Sequence, residues 1–209
     1  MTTDMNTVRL LGAAQLIVIV GALITDRLLA SAVGSGSTSD ILLNISKNLN
    51  RMRISNLASL GQTLVIISLG VLYYVVFYKE YQIISLMALG CFLIAAISLV
   101  VSKIGVNALI PLSQEFIEAG APESSHFQTQ GDFLYNGVDR RGLALNAMFI
   151  YLGFFLANYL LFISRSIPRA ISIFGVAAIC LILIYQVLQL YDREFLPGAF
   201  ILALPYVPY

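Results

Sequence analysis

Six runs of apolar residues, parted by short polar breaks, fill most of the 209-residue chain and leave no stretch long enough for a separate water-soluble domain. A helix needs about 20 predominantly apolar residues to cross a bilayer, so the runs are expected to be membrane segments with hydrocarbon as their solvent. Composition agrees with that expectation. The chain is 59% hydrophobic and 11% charged, where soluble domains are about half apolar and a quarter charged.

The runs fall at about residues 8–29, 54–78, 83–110, 142–163, 170–190 and 198–209. The last is too short: at 1.5 Å per residue it rises only about 18 Å, against a hydrocarbon core of about 30 Å. The expected fold is therefore all-α, a polytopic transmembrane helix bundle with five complete spans plus a partial sixth. It forms one integral membrane domain over residues 1–209. The first run is followed by Ala30-Ser31-Ala32, which imitates a leader-peptide cleavage site, but the run is long enough to span and is read as a span.

Between the spans, the polar segments carry their own signals. Residues 34–39 are Gly, Ser and Thr and read as a linker; no strand precedes them and no Lys-Ser/Thr pair follows, so they do not make a phosphate-binding loop. Asp40 is the expected N-cap of an amphipathic helix whose Ile41, Leu42, Ile45, Leu49 and Met52 recur at helical spacing. With Lys47, Arg51 and Arg53 beside that stripe, the helix is expected to lie on the membrane surface. Tyr73, Tyr74, Tyr78 and Tyr81 supply an interfacial aromatic belt in a chain without Trp. The four-residue break Lys79-Glu80-Tyr81-Gln82 forces an antiparallel hairpin. Lys103 is expected to extend its ammonium to the interface, and Pro111 to end the third span before a polar loop over residues 112–141.

Net charge is +1, with no basic block, so no nucleic-acid partner is implied. The single histidine, His126, excludes paired histidine ligation of haem and any multi-histidine metal site. It reads as a solvated loop residue, as do Glu115 and Glu118. Cys91 and Cys180 lie within apolar runs and read as small core residues. No serine or cysteine has a recognisable base partner, so the expected site inventory holds no catalytic, cofactor-binding or metal-binding residue. Neither composition nor spacing decides whether lipid or pigment is bound.

No charged group is expected near a span centre, where each would cost at least a few kcal/mol. The polar groups inside the spans are amides and hydroxyls. Gln62, Asn146, Asn158, Gln186 and Gln189 could line a polar cavity. The competing reading, carrying more weight, is interhelical hydrogen bonding at about 0.6 kcal/mol per pair. Ser55 with Ser59 and Gly153 with Ala157 place small residues four apart, which favours close helix packing.

The run Leu112-Ser113-Gln114-Glu115-Phe116-Ile117-Glu118-Ala119-Gly120-Ala121-Pro122 followed by Phe127, and the turn Ser164-Arg165-Ser166-Ile167-Pro168-Arg169-Ala170-Ile171-Ser172 with Phe174-Gly175, resemble a bacterial polytopic membrane family known as domain of unknown function 4386. Ala203-Leu204-Pro205 is similar to the start of that family's last span. Ala170 and Phe174 depart from the pattern, standing where members often carry Trp. The resemblance implies the fold and a bacterial cytoplasmic (inner) membrane location, and no mechanism. It also implies a cytoplasmic Ser-Arg-Ser-x-Pro-Arg turn and hence an N-terminus inside. Counting basic residues argues the reverse, since Arg9, Lys79, Arg165 and Arg169 face the N-terminal side and eight others the opposite one. The expected function is that of a non-enzymatic accessory, structural or interaction subunit packing against lipids or other membrane proteins. The alternative is a small carrier or ligand-binding protein built on the amide cavity.

Overall fold

The computed structural model describes residues 5–122 and 126–191; the expected sixth segment at 198–209 lies outside them. The described residues are almost wholly helical. They run α1 (Met5–Val33), α2 (Thr38–Lys47), α3 (Leu49–Glu118), α4 (His126–Asp132), a π-helical segment (Phe133–Asp139), α5 (Arg140–Ile163) and α6 (Arg169–Tyr191). Among the described residues four helices have the length and apolarity to cross a membrane: Arg9–Val33, Leu49–Glu118, His126–Ile163 and Arg169–Leu188.

The α3 helix, at 70 residues, would extend about 105 Å if straight, more than three bilayer cores. It does not stay straight. Tyr81 leaves the helical region at φ −131°, ψ 47°, and residues placed symmetrically about it then meet. Asn56 donates to Asn107 at 2.6 Å, and the Tyr73 and Phe92 rings lie 6.3 Å apart. The polar break at 79–82 thus reverses the chain through one non-helical residue. Pro111, expected to end the following span, lies inside the helix, which continues to Glu118. A proline removes one donor, and neighbouring groups in a membrane bundle can satisfy the freed carbonyl.

The chain forms two compact units. In the one containing Ile66–Ala95, Phe92 is fully buried. Its ring makes an edge contact with Phe154 at 5.5 Å. A Cβ at Gly153 would come within 2.9 Å of it, so the small residue there is what admits the aromatic ring. Ala157 is buried one turn further along α5. Tyr73, expected in the interfacial belt, is buried instead and stacks on Phe77 and Phe92.

The other unit comprises Leu16–Val65 and Ala96–Leu143. Its helices carry runs of exposed apolar residues that end at Ile24, Ile54 and Ile104, beside Arg27, Arg53 and Lys103 respectively. Beyond that edge α2 and α4 cover the ends of α1 and α3 around a core that includes Val33, Leu42, Ile45, Leu109, Phe116 and Phe127. The 112–141 stretch, read as a polar loop that opens with a helical turn or two and then folds back, is helical over most of its described residues. Amphipathic stripes on α2, α3 and α4 fold it into a helical cap.

The N-cap of α2 is Ser37 rather than Asp40. Asp40 occupies the third helical position and completes a capping box: its carboxylate accepts from the Ser37 amide at 2.8 Å and hydroxyl at 2.7 Å, while its own amide donates to Ser37 Oγ at 3.3 Å. These bonds, the Ser37 hydroxyl foremost, hold the Asp40 carboxyl below its ordinary value. An unfolded aspartate titrates near pH 3.9. With the folded value lower, the capping contribution is complete above that pH and is lost as pH falls through the folded value. Amide exchange in the first turn of α2 should accelerate there in the parent protein and already be fast at neutral pH in Asp40→Ala. Exchange that stays slow and pH-independent in the parent would show that the box does not hold the turn.

Candidate functional site: a buried ion pair beside a π-helical turn

The described structure places two charges where none was expected. Lys103 is 6% exposed and Asp139 is fully buried at 0%. Lys103 Nζ donates to Asp139 Oδ1 at 3.0 Å, and the Ser102 hydroxyl donates to the same oxygen. Asp139 Oδ2 is buried without a hydrogen-bond partner. Lys103 therefore turns inward instead of reaching the interface, because a carboxylate from the chain segment 36 residues later neutralises it more completely than a partly hydrated boundary would.

Local geometry explains why the pair forms. Asp139 ends the π-helical segment, where the Arg140 amide bonds back five residues to the Tyr135 carbonyl; such segments are rare and are enriched at functional positions. Small residues then bring the backbones together. A Cβ at Gly142 would lie 2.8 Å from Ser102 Cβ and 3.0 Å from its Cα, and one at Gly105 would lie 2.8 Å from the Leu134 carbonyl oxygen. Both glycines are required by this approach, since the obstructing atoms are backbone or a Cβ fixed directly to it and cannot rotate away. Asp26 on α1 adds its field to that of Lys103, Asp139 and Arg140. Arg140 itself donates to Tyr135 Oη at 2.7 Å, with its guanidinium 5.0 Å from that ring's centroid.

Four of the amides that could line a cavity, or tie helices together as the weightier reading has it, each meet a backbone carbonyl. Gln62 donates to the Val18 carbonyl at 2.7 Å, Asn146 to Ala95 at 2.8 Å, Asn158 to Phe154 at 2.9 Å and Gln186 to Ala144 at 3.3 Å. The side chain of Gln189 lies outside those described. Each of the four donates to a different backbone carbonyl. Three of the bonds join separate helices: α3 to α1, α5 to α3 and α6 to α5. Ser55 and Ser59 are buried, and Ser59 and Thr63 donate to the carbonyls one turn back.

His126 is exposed at the start of α4, its ring 4.1 Å from that of Phe127. Glu115 and Glu118 are exposed. Among the described residues no group of three or more His, Cys, Asp or Glu could hold a metal ion. Lys103 and Asp139 are the residues that local sequence reasoning missed. The one available signal was the isolated lysine inside an apolar run, whose partner is named only by the fold.

Long apolar helices joined through side-chain amides and a buried ion pair define an all-α protein in which, among the described residues, four helices are long and apolar enough to cross a membrane. A family model described as Domain of unknown function (DUF4386) matches residues 10–208, and the chain belongs to that family. No curated protein and no solved structure matches it.

Proposed function

We propose that this protein is a non-enzymatic membrane component that acts by packing against lipids or other integral proteins. The observation supporting this reading is that Gln62, Asn146 and Gln186 each donate to a carbonyl of another helix and Asn158 to one in its own helix, bonds that suit helix packing. Long exposed apolar stripes on α1, α3 and α6 present hydrocarbon-compatible surface. In this reading α3 crosses twice, with its reversal at Tyr81, and the described helices make five crossings, with 198–209 as a partial sixth. The setting is the bacterial inner membrane.

Photo-crosslinking groups at exposed Leu57, Ile97 and Ile184 test the role. Discrete protein adducts at the same positions in repeated preparations support it; adducts to lipid alone, together with solute or proton flux in proteoliposomes, would defeat it. The proposed orientation, N-terminus inside, rests on the family's Ser-Arg-Ser-x-Pro-Arg turn. A single cysteine at Ser166, in a background with Cys91 and Cys180 replaced by alanine, should resist a membrane-impermeant maleimide in intact cells. A cysteine at Ser46 should react.

A second reading has one observation in its favour, the unpartnered and fully buried Oδ2 of Asp139. Ionisable groups held inside a membrane bundle commonly mark proton or ion paths. Proton flux in proteoliposomes that is abolished by a folded Asp139→Asn variant would support that reading over the packing role.

A further inference from the structure

The outward face of α1 carries a groove of about 390 Å³ lined by Val20, Leu23, Ile24, Arg27 and Leu28. All five belong to one helix, so the groove is shallow and open along one side. The lining residues recur at helical spacing and form one stripe, apolar along its length with one guanidinium toward its end. Leu23 is 61% exposed, so protein does not cover the stripe among the described residues.

Arg27 is exposed and makes no ion pair or hydrogen bond among the described residues. Its chain neighbour Asp26 makes no ion pair or hydrogen bond with it among the described residues. Adjacent helical residues project about 100° apart, which separates the two side chains. The result is an apolar stripe leading to an uncompensated cation at the edge of the exposed apolar run.

From this we infer that the α1 groove binds an anionic phospholipid, with an acyl chain along Val20, Leu23 and Ile24 and the phosphate at the Arg27 guanidinium. From Val20 to Arg27 the helix rises about 10 Å, so the chain's first methylenes pack in the groove while the headgroup meets the cation. Guanidinium binds phosphate through paired N–H donors. A zwitterionic lipid would supply the same hydrocarbon but would bring its own cation to Arg27. Charge complementarity therefore selects the headgroup, and the groove holds the tail.

The inference deepens the proposed packing role and rests on α1 facing lipid, which the same experiment checks separately. The chain contains no Trp, so Leu23→Trp installs one reporter in the groove and Ile184→Trp a control reporter on exposed α6 surface. Both are reconstituted into phosphatidylcholine vesicles containing either brominated phosphatidylglycerol or brominated phosphatidylcholine. We expect quenching at Trp in position 23 to show about fivefold preference for the glycerol lipid, consistent with the attraction of one basic residue to anionic lipid. Arg27→Ala should remove the preference and Arg27→Lys retain part of it, while the control shows none.

Equal quenching by both lipids at both positions would overturn the lipid site and leave the membrane reading standing. A position-23 reporter shielded from both lipids while the control is quenched would assign the groove to a second copy or another protein. A preference competed away by soluble glycerol phosphate would reduce the site to free-phosphate binding. Absence of quenching at both positions would remove the membrane reading itself.

Discussion

Asp139→Ala should lower the unfolding free energy by about 3–5 kcal/mol, because it leaves the Lys103 ammonium buried with no carboxylate. Lys103→Met should cost a similar amount by the converse route. The double variant Lys103→Met with Asp139→Leu should recover most of that loss, since an apolar pair of similar volume needs no compensating charge. A double-mutant cycle isolates the coupling, and SDS titration in mixed micelles with circular dichroism supplies the unfolding free energies. Single variants within about 1 kcal/mol of the parent would show that the charges are not held together in the folded protein. Ser102→Ala should cost less, about 1.5–3 kcal/mol, the usual range for a hydrogen bond to a charged group.

Truncating Phe116 to alanine should destabilise the helical cap by about 3–5 kcal/mol, the range for deleting a buried phenylalanine side chain. Phe116 is 1% exposed and meets the Phe127 ring edge to face at 5.9 Å. It joins α3 to α4, and through that core to Leu42 and Ile45 of α2. Hydrogen exchange should show α2 and α4 losing protection while the apolar centre of α6 keeps it. Phe116→Leu, which preserves most of the volume, should cost less than about 1.5 kcal/mol. Equal behaviour of the alanine and leucine variants would mean that the cap is not built on this ring. The physical weight of the cap lies in ordinary core packing. Neutral polar contacts also fasten it: Gln128 donates to Ser39 at 2.9 Å, and Asn44 to the Val33 carbonyl at 3.1 Å.

The two largest expected effects concern a region that the linear pattern describes poorly. Asp139 precedes Arg140 and Arg141 in a polar stretch, where three consecutive charges read as solvated. The fold separates them: Asp139 is buried, and Arg140 is exposed against Tyr135. Glu115, Glu118 and His126, by contrast, stand at the surface as expected from their setting. What distinguishes the buried aspartate is a helical register imposed by the π turn and the close approach at Gly105 and Gly142. Neither is visible in hydropathy. The amides illustrate the other side of the same limit. Their presence inside apolar runs could be read directly, and hydrogen bonding between helices was the weightier expectation, but which carbonyl each would meet depended on packing.

The sequence by itself determined that helices long and apolar enough to cross a membrane dominate the chain, and where α3 reverses. Apolar run length and polar breaks are local properties, and backbone groups in hydrocarbon have little choice but to bond within a helix. Only the tertiary structure decided that Lys103 faces inward, that Asp139 meets it, and that the polar stretch after Pro111 closes into a cap. Those outcomes depend on side chains 36 residues apart for the ion pair and 89 apart for Gln128 with Ser39. A burial cost that would forbid each charge alone is offset once the other lies 3.0 Å away, and no window along the chain contains both.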